Sequence, residues 1–233
     1  MTSLGDFKVK GQKRGVILWD IDGTLISKSS SFTYSRHLNA LSLPQQTRNG
    51  MDLAGLSDWD VLVKHAQLNY LSHENLIRAF HNLNEIPYKA NPLELFPSTG
   101  VERILEHGMN DGWIHGILTG NVLNAAIGKL KAVKLLEYFD LSKFFCCEFQ
   151  ETRINIAQRA RRELIDGRET VILVGDTIND VIAAKESEFR ILLVSDTYKN
   201  NRVSEGREPD GVLVDFSINP AEFYLELENI ISK

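Results

Sequence analysis

The chain is poor in the residues that would staple it, interrupt it or make it basic. It holds two cysteines in 233 residues, and these are neighbours, Cys146 and Cys147. A disulfide between adjacent residues is strained and ties nothing distant, so a disulfide framework is excluded and a reducing compartment is the expectation. No stretch approaches the ~18 consecutive apolar residues of a membrane span. Residues 1–14 are polar and mixed in charge, without the apolar run of a signal peptide, and the expected location is the cytoplasm. Positive charge is also short: 26 Lys and Arg stand against 31 Asp and Glu, a net of −5. That leaves no basic field to hold nucleic acid or an anionic membrane, and neither is expected as a partner. With 6 Pro and 16 Gly, 43% hydrophobic and 24% charged residues, the composition is that of an ordinary globular chain. Its length is large for one compact layer and small for two domains, so one core with an insertion fits best.

What is present is a repeated unit. Val16-Ile17-Leu18-Trp19 runs into Asp20, Ile114-His115-Gly116-Ile117-Leu118 into Thr119, Val171-Ile172-Leu173-Val174 into Gly175-Asp176, and Ile191-Leu192-Leu193-Val194 into Ser195-Asp196. Short apolar runs ending in a polar turn are the pattern of buried parallel strands. Helical patterns lie between them, over residues 101–107 (stopped by Gly108), 124–138, 154–165 (stopped by Gly167) and 178–187. The alternation predicts an α/β fold, a Rossmann-like doubly wound parallel sheet. One segment interrupts it. Residues 29–95 show no buried strand, but amphipathic stretches at 32–41, at 58–70 behind the capping pair Ser57 and Asp60, and at 74–83 behind Ser72. The expected organisation is a core of residues 1–28 and 96–233 carrying a helical cap of residues 29–95.

Ligands of such sheets bind outside the carboxyl ends of the strands, where this sequence places Asp20, Asp22, Thr119, Asp176 and Asp180. Carboxylates gathered at one edge repel one another and require a cation. Mg²⁺ suits them, because it takes a few carboxylates while keeping water and phosphate ligands. In Asp20-Ile21-Asp22-Gly23-Thr24, one carboxylate is available as a nucleophile toward phosphorus and its neighbour as an acid and base. Thr119-Gly120-Asn121 offers a hydroxyl and two backbone N–H groups to an anion. Gly175-Asp176-Thr177-Ile178-Asn179-Asp180 carries two acids four residues apart, one at a strand end and one on the first turn of a helix.

In this order, the three motifs resemble those of the haloacid dehalogenase superfamily, in particular its phosphoglycolate-phosphatase-like members with a helical cap. The likeness extends over about residues 15–216. It implies a hydrolase acting on phosphomonoesters through an aspartyl-phosphate, with Asp20 as nucleophile and Asp22 as general acid and base. It further implies Mg²⁺ held by Asp20, the backbone carbonyl of Asp22, Asp176, and Asp180 directly or through water. Thr119, Gly120 and Asn121 would bind the phosphoryl group. The superfamily's basic residue has two candidates here, Arg153 at the head of the helix before the fourth strand and Lys129 on the helix after Thr119, with chain position favouring Arg153. Asp22 separates the chain from the dehalogenases, which lack the second acid. A sugar-phosphate mutase of the same superfamily and a non-catalytic metal- and phosphate-binding module use the same residues and stay open. The expected partner is a small phosphorylated metabolite selected by the cap, whose basic side chains are Arg36, Arg48, Lys64, Arg78 and Lys89, joined by His37, His65, His73 and His81. Residues 52–58 resemble the cap loop that faces the active site in those relatives.

Overall fold

The structure is a computed structural model and describes residues 14–27, 32–44, 53–85, 88, 95–164, 170–195 and 207–232. Arg48, Lys89, Gly167 and Asp196, each named above, lie outside them, as does the first residue of the 52–58 segment. Strands β1 (Gly15–Trp19), β2 (Trp113–Leu118), β3 (Phe144–Phe145), β4 (Val171–Gly175), β5 (Arg190–Val194) and β6 (Gly211–Leu213) form one sheet in the order β3-β2-β1-β4-β5-β6. Every pairing is parallel. The chain order reverses between β1 and β4, which makes their carboxyl ends the switch point of a doubly wound sheet.

Both faces are covered, and the period of two in each strand sorts the side chains between them. Val16, Leu18, Leu118, Leu173 and Leu193 point to one face, under α6 (Arg153–Leu164) and α7 (Ile178–Glu186). Ile17, Trp19, Ile117, Ile172, Val174 and Leu192 point to the other, under α4 (Val101–Asn110), α5 (Leu123–Ala132) and α8 (Pro220–Ile231). The segment between β1 and α4 contributes α1 (Phe32–Ala40), α2 (Asp58–Leu68) and α3 (His73–Glu85), whose Trp59, Leu62, Ala79 and Phe80 continue the first of these layers. The two chain ends that flank this segment are joined where Ile26 bridges Pro97 in antiparallel fashion, beside Ser98 donating to the Leu25 carbonyl at 2.9 Å.

The strands and helices read from the sequence are present, with differences that have physical causes. The α4 helix does not stop at Gly108 but continues to Asn110, because that glycine packs beneath Tyr224, where a Cβ would lie 1.9 Å from the hydroxyl oxygen. The expected helix 124–138 ends at Ala132, where Lys134 takes a φ of 59°, and a separate 3-10 turn covers Leu136–Tyr138. Strands β3 and β6 and helix α8 were not expected. The two strands hold only two and three residues, too few for a period to show.

One polar contact lies deep in this core. The Trp19 indole N–H donates to His115 Nδ1 at 3.0 Å, and His115 Nε2 lies 3.0 Å from the Leu105 carbonyl. Because the indole only donates and the carbonyl only accepts, the imidazole is neutral with its proton on Nε2. Burial pushes its pKa from 6.5 down to about 4, against the Leu105 hydrogen bond. The folded pKa is below the unfolded one, so His115 contributes stability that is complete above pH 6.5 and lost as the pH falls toward about 4. Urea unfolding over that interval is expected to lose about 3 kcal/mol from this residue, and His115→Gln to flatten the slope. An unchanged slope in the variant would assign the acid sensitivity elsewhere.

Candidate active site

The sheet register builds the site. Trp19 pairs with Ile117 of β2 and Val174 of β4, so Asp20, Thr119 and Asp176 leave their strands at one edge within a residue of each other. Asp20 is 4% exposed, and its N–H remains in the ladder, donating to the Val174 carbonyl at 2.9 Å. The chain then turns through Gly23 at φ 93°, a left-handed conformation that glycine adopts without strain. The turn closes with Gly23 donating to the Ile26 carbonyl at 2.8 Å, and it buries Thr24, whose hydroxyl donates to Asp176 Oδ1 at 3.3 Å.

Asp20, Asp176 and Asp180 bring carboxylate oxygens within 4.8 Å of one another. Asp180 is fully buried on the first turn of α7 and closes a capping box: the Thr177 N–H and hydroxyl donate to its Oδ2 at 2.9 and 2.7 Å, and its own N–H donates to Thr177 Oγ1 at 3.3 Å. Gly175 is required beside it, since a Cβ there would meet the Asp180 carboxyl carbon at 2.5 Å. The Arg153 guanidinium bridges the cluster, donating to Asp180 and lying 2.8 Å from Asp20 Oδ1. Burial works against its charge, but Asp180 and Asp20 outweigh that and hold its pKa above the ordinary value. The balance at Asp20 goes the other way. Burial, opposed by Arg153 and reinforced by Asp180, Asp176 and Asp22, raises its pKa from 3.8 to about 7. A half-compensated carboxylate cluster of this kind, all oxygen donors, matches the preference of a hard divalent cation.

Asp22 is not part of that cluster. Its Oδ2 accepts from Lys129 Nζ at 2.5 Å, and the same ammonium donates to Asn121 Oδ1 at 2.7 Å. Lys129 is 3% exposed, and Asp22 faces out toward solvent with a third of its side chain exposed. The two basic candidates therefore have different partners, Arg153 the buried acids and Lys129 the outer acid together with the Thr119-Gly120-Asn121 turn. In that turn the Asn121 N–H donates to Thr119 Oγ1 at 3.3 Å.

The segment that carries α1 and α2 packs against both loops. Asp58, at the head of α2, accepts from the Val122 N–H at 2.7 Å through one carboxylate oxygen and from His37 Nε2 at 2.8 Å through the other. Burial opposes its charge, but His37, the Val122 N–H and Lys129 hold its pKa below the ordinary carboxylate value. The Asp58 N–H donates to the Gly120 carbonyl at 2.7 Å, and a Cβ on Gly120 would meet the Leu56 carbonyl oxygen at 2.4 Å. On the other side, Asn179 donates to the Ala54 carbonyl at 2.7 Å, and Gly55, at φ 68°, sits where a Cβ would be 2.3 Å from Thr177 Oγ1. Sequence reading assigned no role to Thr24, Tyr88 or Thr177, and named His37 and the 52–58 segment only as facing the substrate, without the Asp58 contacts. Thr24 lies inside a motif already noted and Thr177 between two noted acids, whereas the contact of Asp58 with Val122 spans 64 residues and leaves no local signature.

The carboxylate cluster stands at the switch point of a doubly wound sheet, where such folds bind their ligands. The haloacid dehalogenase-like hydrolase family model matches residues 17–194, and the chain belongs to that family. A protein described as a predicted phosphatase from Clostridium acetobutylicum is similar in structure, with a TM-score of 0.65 at 18% identity over 94% of this chain and 100% of that one. A β-phosphoglucomutase from Clostridium difficile gives 0.63 at 14% identity over 95% and 100%. CbbY from Rhodobacter sphaeroides, solved in complex with phosphate, gives 0.57 at 18% identity over 87% and 95%. No curated protein matches the sequence.

A carboxyl whose folded pKa of about 7 exceeds its unfolded 3.8 holds its proton more tightly when folded. Its contribution to stability in the metal-free protein is therefore lost as the pH rises between those values. A divalent cation competes with that proton, so added Mg²⁺ is expected to raise the thermal midpoint more at about pH 8 than at about pH 5.5. Equal shifts at both pH values would remove Asp20 from the ion's ligands. Gly55→Ala is expected to lower the midpoint and catalytic turnover together, since the left-handed φ and the Thr177 contact both oppose a methyl group there.

Proposed function

We propose that the chain is a Mg²⁺-dependent phosphatase of small phosphorylated metabolites, working through an aspartyl-phosphate on Asp20. The observation that carries this is a single nucleophile-capable carboxylate, Asp20, buried between Arg153 and the acids of the cluster, with a second carboxylate, Asp22, two residues on and outside that cluster. Membership of a hydrolase family and the phosphate bound in CbbY agree with it.

In this mechanism the Thr119 hydroxyl, the N–H groups of Gly120 and Asn121 and the Lys129 ammonium hold the phosphoryl oxygens in line with Asp20. An Asp20 oxygen attacks phosphorus as the ester P–O bond breaks, and Asp22 gives its proton to the departing oxygen. Asp22 then takes a proton from water, which attacks the aspartyl-phosphate, releasing inorganic phosphate and restoring Asp20. Arg153 keeps the nucleophile in place and offsets charge around it. Asp20, the Asp22 carbonyl and Asp176 would hold Mg²⁺; with Oδ2 of Asp180 taken by Thr177 and Oδ1 by Arg153, Asp180 would act through water. The ion supplies Lewis-acid stabilisation of the charge that develops on the phosphoryl oxygens.

A reducing, cytoplasmic setting is part of the proposal. Cys146 and Cys147 are both buried and free, and burial pushes the Cys146 thiol up to about 12, which leaves it unreactive. Among the described residues no helix is long and apolar enough to cross a membrane.

The test is release of inorganic phosphate from p-nitrophenyl phosphate and from alkyl phosphates under Mg²⁺. Asp20→Asn is expected to abolish it, with the circular dichroism spectrum unchanged; retained turnover in that variant would overturn the mechanism. Asp22→Asn is expected to slow alkyl phosphates by ~10²-fold or more and p-nitrophenyl phosphate less, because the better leaving group needs less protonation.

A further inference from the structure

Phe149 is a large apolar side chain at the tip of the turn between β3 and α6, 41% exposed, and its ring is applied to helices from a distant part of the chain. It meets Trp59 of α2 edge-on at 5.0 Å between centroids and Phe80 of α3 edge-on at 5.7 Å, and it stacks on His81 of α3 at 6.2 Å. Ring pairs in these geometries attract beyond the area they bury. The turn is built to hold that ring out. Gln150 takes a φ of 64°, a left-handed conformation that a residue with a side chain keeps only where its surroundings fix it. The Glu151 N–H donates to the Glu148 carbonyl at 3.2 Å, and the Glu148 N–H donates to Glu151 Oε2 at 3.0 Å. Arg159 of α6 then grips Glu151 with both arms of its fork, Nε to Oε1 and Nη2 to Oε2, each at 2.9 Å, and reaches the Cys146 carbonyl at 2.6 Å. A two-pronged pair of this kind fixes direction as well as distance. The first residue of the same helix, Arg153, lies against Asp20 and Asp180, so α6 holds both the carboxylate cluster and the turn that presents Phe149.

On the far side of the contact, Trp59 follows Asp58 in the first turn of α2. The two side chains leave the helix in different directions, Trp59 toward Phe149 and Asp58 toward the Thr119-Gly120-Asn121 turn. There the Asp58 N–H donates to the Gly120 carbonyl and its carboxylate accepts the Val122 N–H, each at 2.7 Å. Val122 is the N-cap of α5, a position whose N–H finds no partner inside its own helix. Its protection therefore depends on a carboxylate 64 residues away. A displacement of α2 by about an ångström would break both bonds and release the turn, and misplacements of that size are enough to spoil an in-line alignment.

We propose that Phe149 is a positioning residue for phosphoryl transfer: seated against Trp59 and Phe80, it fixes the head of α2 and, through Asp58, the geometry of the Thr119-Gly120-Asn121 turn. Its part in turnover rests on the phosphatase reading above, whereas the chain of contacts from Phe149 to Val122 does not. Amide hydrogen exchange followed by NMR, together with hydrolysis of p-nitrophenyl phosphate under Mg²⁺, tests both. Phe149→Ala is expected to speed exchange at Val122 by about tenfold or more while the β4 amides keep their rates, and to lower kcat/KM by about tenfold. Phe149→Tyr, which keeps the ring, is expected to bring both back to within about twofold of the wild type. Glu151→Gln, which leaves the ring and unpins its turn, is expected to move both in the same direction as Phe149→Ala, and the double variant to lose less than the two single losses combined, because one path carries them. Exchange at Val122 or kcat/KM unchanged in Phe149→Ala overturns the proposal. Exchange that rises equally in β4 also overturns it, since that is the mark of a general loss of stability. No hydrolysis by the wild-type protein would overturn the phosphatase reading and with it the part in turnover, and the exchange rates alone would then decide the contact.

Discussion

Three carboxylates and one guanidinium share the end of two neighbouring strands, and their mutual electrostatics govern how the rest of the chain is arranged around them. Asp20, Asp176 and Asp180 approach within 4.8 Å, a repulsion that would be prohibitive in a buried setting without compensation. Arg153 supplies part of it, drawn in from α6 to lie against Asp20 and Asp180. The compensation is incomplete: burial, with Asp180, Asp176 and Asp22 behind it, raises the pKa of Asp20 against Arg153. The surrounding sequence serves this arrangement: Gly175 makes room for Asp180, Thr177 fixes it through the capping box, and Thr24 turns toward Asp176.

A second, outer layer of polar contacts stands apart from that carboxylate cluster. Lys129 links Asp22 to Asn121, so the outer carboxylate and the anion-binding turn share one cation. Asp58 reaches across from the cap to the N-terminal end of α5 and is held from behind by His37. A helix N-terminus attracts anions, and here a cap carboxylate occupies the Val122 N–H next to the turn that would receive phosphate. Asp58 thereby ties α2 to the end of the Thr119-Gly120-Asn121 turn. The backbone contacts of Gly120 and Gly55 press the same two surfaces together where no side chain fits between them.

The parallel sheet, the helical insertion and the motif acids were legible because each leaves a local trace: an apolar run ending in Asp or Thr, a period of 3.6, a pair of acids at fixed spacing. The failures were equally local in origin. Gly108 reads as a stop in isolation and proves to be a packing residue under Tyr224. Strands β3 and β6 are too short to carry a period, and they exist because the edges of an already formed sheet offer free hydrogen-bonding groups. Arg153 and Lys129 looked like competing candidates for one role, since chain position alone says nothing about which carboxylate a long basic side chain will meet.

By itself the sequence determined the fold class, the place of the insertion and the identity of the acids at the strand ends, since these depend on hydrophobic periodicity and on residues adjacent in the chain. Only the tertiary structure decided which of those acids stand together, which cation serves which acid, and that Arg36, Tyr88 and Asp58 of the cap face Lys129 and Asn121 of the core. Apart from that of Asp176 with Asp180, those relations join residues 27 to 160 positions apart, and the energy that selects them, burial of charge against its partner, exists only once the chain has closed around the site.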